Sequence, residues 1–240
     1  MIIPAAVEVG KKYREIIKGI KVRLGLSASG EHGLKPLPIA RKAANILNIP
    51  LMVHIGDPPP VYEEIFSHLQ ADDILTHTFR GGPNQLQDYE RLIKAQKRGV
   101  IIDVGHGIGG FTFEIARKFC EKEIFPDTIS TDLHTLSWQE GISLPLIMSK
   151  MLNLGMPLLK VIKACTFSPA RILEQEEEIG TLKPGTVADI TVLDLRSGDF
   201  EFYDCAGEKM VGDKRLFPEL VIKKGGIYKL NSSKTTEEKL

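Results

Sequence analysis

Five short apolar runs, each interrupted by a polar side chain and most followed by an amphipathic stretch, constrain this chain more than any other feature. They are IKGIKVRLGL (17–26), PLMVHIG (50–56), DILTHTF (73–79), GVIIDVG (99–105) and DTISTDL (127–133). Between them Leu37–Leu47, Val61–Leu69, Leu86–Lys97 and Phe111–Lys122 carry apolar residues at helical spacing. Strands alternating with helices at this interval predict a parallel sheet of βα units. Strands covered on both faces read as nearly continuous apolar runs, yet Lys21, Arg23, His54, His77 and Asp132 interrupt these. The interruptions call for a chemical reason.

The rhythm ends after Asp132. Helical segments over Leu144–Leu154 and Leu158–Leu173 lead into residues 179–230, where short strand runs alternate with Gly and Asp turns as in ADITVLDL, FEFYDCAG, KMVGDK and LVIKKGGIY. This pattern predicts a small β-sandwich appendage, so the domain boundaries read 1–178, 179–230 and a polar, disordered tail at 231–240. With 240 residues the chain can bury a sizeable core. Lys plus Arg and Asp plus Glu both number 31 and neither sign is concentrated, which argues against a nucleic-acid partner. No apolar run is long enough to span a membrane. Cys120, Cys165 and Cys205 are odd in number, widely spaced and without a CxxC, so they read as reduced core residues of a cytoplasmic protein rather than a disulfide framework. The first residues lack the basic, apolar and small-residue order of a secretory signal.

In a β/α barrel, residues at the C-terminal strand ends face the active site. His54, His77 and Asp132 fall at three such ends and His106 follows a fourth in DVGHGIGG. A lone strand histidine is more often a hydrogen-bonded core residue, but three coincidences in register favour a metal site. Imidazoles suit zinc, and a carboxylate can ligate it or serve as a base. His32 and His68 read as solvated, and His134 as exposed or in support of Asp132. Gly105, Gly107, Gly109 and Gly110 around His106 imply a close backbone approach, to substrate or within a plain loop. Gly105, Gly107 and Gly110 satisfy GxGxxG literally, but no acidic ribose ligand follows about 20 residues on, so a dinucleotide site is disfavoured. A flavin or nicotinamide oxidoreductase rests on fold analogy alone.

The segments GIKVR, PLMVHIGDPPP, DILTHTFRG, DVGHG, ISTDLH, SPAR and GTLKPGTVADITVLD, in this order over nearly the whole chain, resemble the amidohydrolase superfamily, in its dihydroorotase-like amidohydrolase/deacetylase branch. The resemblance implies an α/β fold: strands 4 to 8 of a TIM (β/α) barrel followed by part of a β-sandwich. It implies that Lys21 matches the carboxylated lysine that bridges two metals, His54 and His77 match the next two ligands, and Asp132 matches the aspartate that ligates metal and acts as catalytic base. An unmodified ammonium repels metal, whereas its carbamate offers two anionic oxygens. His106 is the expected substrate contact. Zinc (Zn2+) is the expected metal, with manganese, iron or nickel (Mn2+, Fe2+, Ni2+) compatible with the same donors. The expected activity is hydrolysis of amide or ester bonds in small molecules. The family's first-strand HxH occurs nowhere in the chain, and strands 1 to 3 find no match. The sequence therefore predicts an incomplete enzyme of low activity, holding one metal or none. The alternative is a non-catalytic remnant or subunit that pairs with a complementary N-terminal chain or with further copies.

Overall fold

The computed structural model describes residues 3–135, 137 and 141–229; the predicted tail at 231–240 lies outside them. Helix α1 (Ile3–Lys12) precedes strand β1 (Ile20–Leu24), a short helix α2 (Leu26–Ser29) and helix α3 (Pro36–Leu47). Strand β2 (Leu51–Ile55), one-turn helix α4 (Tyr62–Ile65), strand β3 (Ile74–Thr76), helix α5 (Tyr89–Lys97), strand β4 (Ile101–Ile102) and helix α6 (Phe113–Cys120) follow. Helices α7 (Leu144–Asn153), α8 (Leu158–Cys165) and α9 (Phe167–Ile172) lead to strands β5 (Ile190–Tyr203), β6 (Lys209–Lys223) and β7 (Gly226–Lys229). No helix among the described residues is long and apolar enough to cross a membrane.

The parallel sheet has the order β1-β2-β3-β4, each strand beside its predecessor in sequence, as expected of consecutive βα units. Its strands alternate rather than being apolar on both faces. Val22, Leu24, Leu51, Val53 and Ile55 are buried toward the helices, while Lys21, Arg23, Met52 and His54 share the opposite face. The polar interruptions Lys21, Arg23 and His54 are therefore residues of one sheet face. Helix α3 closes the apolar face with Leu37, Ala40, Ala44 and Leu47 at a helical repeat, starts with proline in its first turn, and ends at Asn48 in a left-handed conformation (φ 52°).

Three sequence expectations change form. DTISTDL is not a full strand: it runs beside β4 through a parallel bridge at Asp103 and Thr128 and through Val104 and His106 amides donating to Thr128 and Ser130 carbonyls (both 3.1 Å). The segment Leu158–Leu173 divides at Thr166 into α8 and α9, since Pro169 has no N–H to continue the helix. The short strand runs after residue 189 merge into a three-stranded antiparallel sheet, β5-β6-β7. That sheet is fastened to α7: the Leu216 amide donates to Ser149 Oγ (2.9 Å), and the Asn153 amide group donates to the Lys214 carbonyl (2.7 Å) and accepts from its N–H (3.2 Å). Phe202 and Leu216 belong to the same apolar cluster as the helices and the parallel sheet.

Candidate active site

His54 lies at the mouth end of β2, in register with Arg23 on one side and Thr76 on the other. Its ring meets the ring of His77 edge to face, with centroids 4.3 Å apart. Partial burial, the neighbouring His77 and the charges of Arg23, Lys21 and Arg80 push its pKa down to about 3, so it is a neutral imidazole with an available lone pair.

His77 follows β3 immediately and is 5% exposed. Its Nδ1 donates to the Gly105 carbonyl (2.5 Å), which fixes the proton on Nδ1 and leaves Nε2 as a lone pair. That Nε2 is buried, has no hydrogen-bond partner among the described residues, and lies 3.9 Å from Asp132 Oδ2. Burial lowers the His77 pKa, opposed by the Gly105 bond and the Asp132 charge. Both His77 (φ 62°) and Asp132 (φ 46°) have left-handed backbones. Strain of this kind in non-glycine residues collects at functional sites.

The glycines of GHGIGG let a loop pass close behind these groups. At Gly105 (φ 53°) an added Cβ would collide with Thr76 and the His77 ring, and at Gly107 (φ 47°) it would come within 2.9 Å of Asp132 Oδ2. The close approach read from the sequence is thus made to His77 and Asp132. Asp103, which the sequence reading passed over, is 2% exposed. Its carboxylate accepts hydroxyl bonds from Thr76 (2.6 Å), Thr128 (2.7 Å) and Ser130 (2.8 Å). It braces the strands beneath His77 and raises that residue's basicity. A carboxylate in the otherwise apolar GVIIDVG was the signal for it.

Lys21 is exposed on the same face as His54, one register step deeper at Met52, and its charge reaches both imidazoles. His106 is 2% exposed and both ring nitrogens are engaged within the chain. The solvated readings of His32 and His68 agree with their exposure, and His134 is also exposed. Among the described residues no three His, Cys, Asp or Glu side chains gather as a metal cage. His54, His77 and Asp132 nevertheless bring donor types that a divalent cation takes to the surroundings of the buried His77 Nε2.

A model of the amidohydrolase family matches residues 87–227, and the chain belongs to that family. It is similar to a deacetylase of Brucella anthropi, 37% identical over 200 residues that make up 81% of this chain and 50% of the relative. It is also similar to the deacetylase Atu3266 of Agrobacterium fabrum, 36% identical over 209 residues, 85% of this chain and 51% of that one. The chain spans about half the length of these curated relatives. Crystal structures of an adenine deaminase (TM-score 0.89, 28% identity) and a dihydroorotase (TM-score 0.87, 31% identity) each cover 95% of this chain, which in turn covers 64% and 61% of theirs. The fold is accordingly α/β with a parallel sheet, similar to the barrel amidohydrolases.

Proposed function

We propose that this chain carries part of the active site of a metal-dependent hydrolase that cleaves amide or ester bonds of small molecules, a deacetylase in the first instance. His54 and His77 would hold a divalent cation, with zinc foremost; Lys21, as its carbamate, would offer anionic oxygens to it, and Asp132 would contribute a carboxylate. When bound, the cation supplies Lewis acidity that polarises the acyl carbonyl. Asp132 takes a proton from the attacking water and returns it to the departing nitrogen or oxygen, so an acyl compound and water yield a carboxylate and an amine or alcohol. Gly105 holds His77 with its Nε2 lone pair forward, and the low pKa of His54, about 3, keeps that imidazole unprotonated. The reading gives residues 1–178 the barrel share of the enzyme and 179–230 the β-rich share, in a cytoplasmic setting.

The observation that carries this reading is the His77 Nε2 atom, buried and unpartnered 3.9 Å from Asp132. Deacetylase-named relatives and the dihydroorotase neighbour support the reaction class. The test is metal content by elemental analysis after reconstitution with zinc. About one ion per chain, lost in His54→Ala and His77→Ala but kept in the exposed-residue control His68→Ala, supports it. An absence of metal from the unaltered chain, or equal loss in the control, overturns it.

A further inference from the structure

Behind His77 lies a buried polar cluster that the proposed chemistry does not use. Lys150, on the inner face of α7, is 3% exposed. Its Nζ donates to the Tyr203 carbonyl (2.6 Å) and meets His106 Nε2 at 2.9 Å. The ammonium also lies over the faces of Phe111 and Phe113, 5.8 and 5.9 Å from their centroids. No carboxylate pairs with it at salt-bridge distance among the described residues, although Asp204 acts on it from farther away. Burying such a cation is costly, and methionine would fill a similar space without that cost. Packing alone does not account for it.

The bond pattern gives the cluster a direction. With Nε2 accepting from Lys150, the His106 proton resides on Nδ1, which donates to the Gly107 carbonyl (2.8 Å). The ring is also stacked on Phe111, with centroids 5.0 Å apart and planes 17° apart. A residue held this firmly fixes its two neighbours. Gly105 accepts from His77 Nδ1. Gly107 donates its N–H to the Thr131 carbonyl (3.0 Å) and lies against the Asp132 carboxylate.

We propose that Lys150 and His106 are positioning residues: the pair clamps the loop 105–110 so that the Gly105 carbonyl holds His77 with its Nε2 lone pair free and Gly107 backs Asp132. The proposal rests on the reading of His77 and Asp132 as the working groups. It also makes the clamp a link between β5, through Tyr203, and the site. Both side chains are buried and spend their polar atoms within the chain, so each acts through the loop.

The test uses histidine 15N NMR on the metal-free chain and zinc titration, applied to the unaltered protein, Lys150→Met and His106→Gln, each checked for folding by circular dichroism. In the unaltered chain His77 should be neutral with its proton on Nδ1. In the variants it should become a mixture of tautomers, and zinc affinity should fall about 10- to 100-fold, the range for groups that orient metal ligands. A proton on Nε2 in the unaltered chain overturns the proposal, whatever the variants do. So does a folded Lys150→Met or His106→Gln whose His77 tautomer and zinc affinity match the parent's. If the unaltered chain takes up no zinc while the tautomer shifts occur as expected, the metal reading fails and the positioning role stands.

Discussion

Truncating His77 removes a ring whose Nδ1 is satisfied by Gly105 and whose Nε2 is satisfied by nothing among the described residues. Losing one hydrogen bond costs on the order of 1 kcal/mol, and removing an orphaned buried group offsets part of it. His77→Ala should abolish zinc uptake, and its stability, read from the denaturant midpoint, should also fall, by about 2–4 kcal/mol, because the buried ring leaves a cavity beside His54. Asp132→Asn should differ in kind: zinc stays, and hydrolysis of a chromogenic acetyl ester falls by about 10²- to 10⁴-fold, as for loss of a general base. Retained turnover with bound zinc would remove Asp132 from the proton-transfer role. At this scale the sequence marked the places where polarity broke an apolar run, at His54, His77 and Asp132, and the fold brings these side chains near one another. The sequence was uninformative for His106, whose surroundings come from Lys150 and Cys205, 44 and 99 residues away. Nothing local to GHGIGG distinguishes a buried imidazole from one facing substrate.

Among the elements, α5 shows how one side chain sets a boundary. Asp88 accepts from the Arg91 amide (2.9 Å), and the helix starts at Tyr89 rather than at Leu86, where apolar spacing begins. Leu86 instead enters the core from the preceding loop. Replacing this N-cap, Asp88→Ala, should lower stability by about 1 kcal/mol, measured by urea unfolding, and leave zinc uptake unchanged. Gly107→Ala should behave oppositely. It forces a side chain into left-handed backbone against Asp132, so hydrolysis should fall more than stability does. The helix and strand order was legible because apolar periodicity is a local property. The reduction of 127–133 to one bridge and the merging of short runs into β5 and β6 were not, since pairing depends on neighbours distant in sequence.

For the molecule as a whole, a single apolar cluster joins the sheet β5-β6-β7 to the helices, although composition alone marks a boundary near residue 179. Phe202, 1% exposed, should therefore act globally: Phe202→Ala should cost about 3–5 kcal/mol and keep one unfolding transition by fluorescence and circular dichroism alike. Two separate transitions would show two independent units. Buried imidazoles set the acid response. Burial lowers the pKa of His54 to about 3 and of His106 to about 4, and lowers that of His77 as well. The unfolded chain binds protons near pH 6.5 and the folded chain does not, so stability is full above that value and falls as pH drops toward 4. His106→Gln should show a shallower decline over this window, by at most ~3 kcal/mol; an unchanged slope would mean that His106 titrates normally.

The grip of α7 on β6 has one more effect. β7 pairs with β6 only from Leu220 to Lys223, so near Lys214 the side of β6 turned away from β5 would present free amides and carbonyls, a template for another chain. Asn153 satisfies both backbone groups of Lys214 as a neighbouring strand would, and Ser149 takes the amide of Leu216. A helix thus substitutes for a strand and closes the ladder, which makes these two polar side chains guards against self-association as well as fasteners.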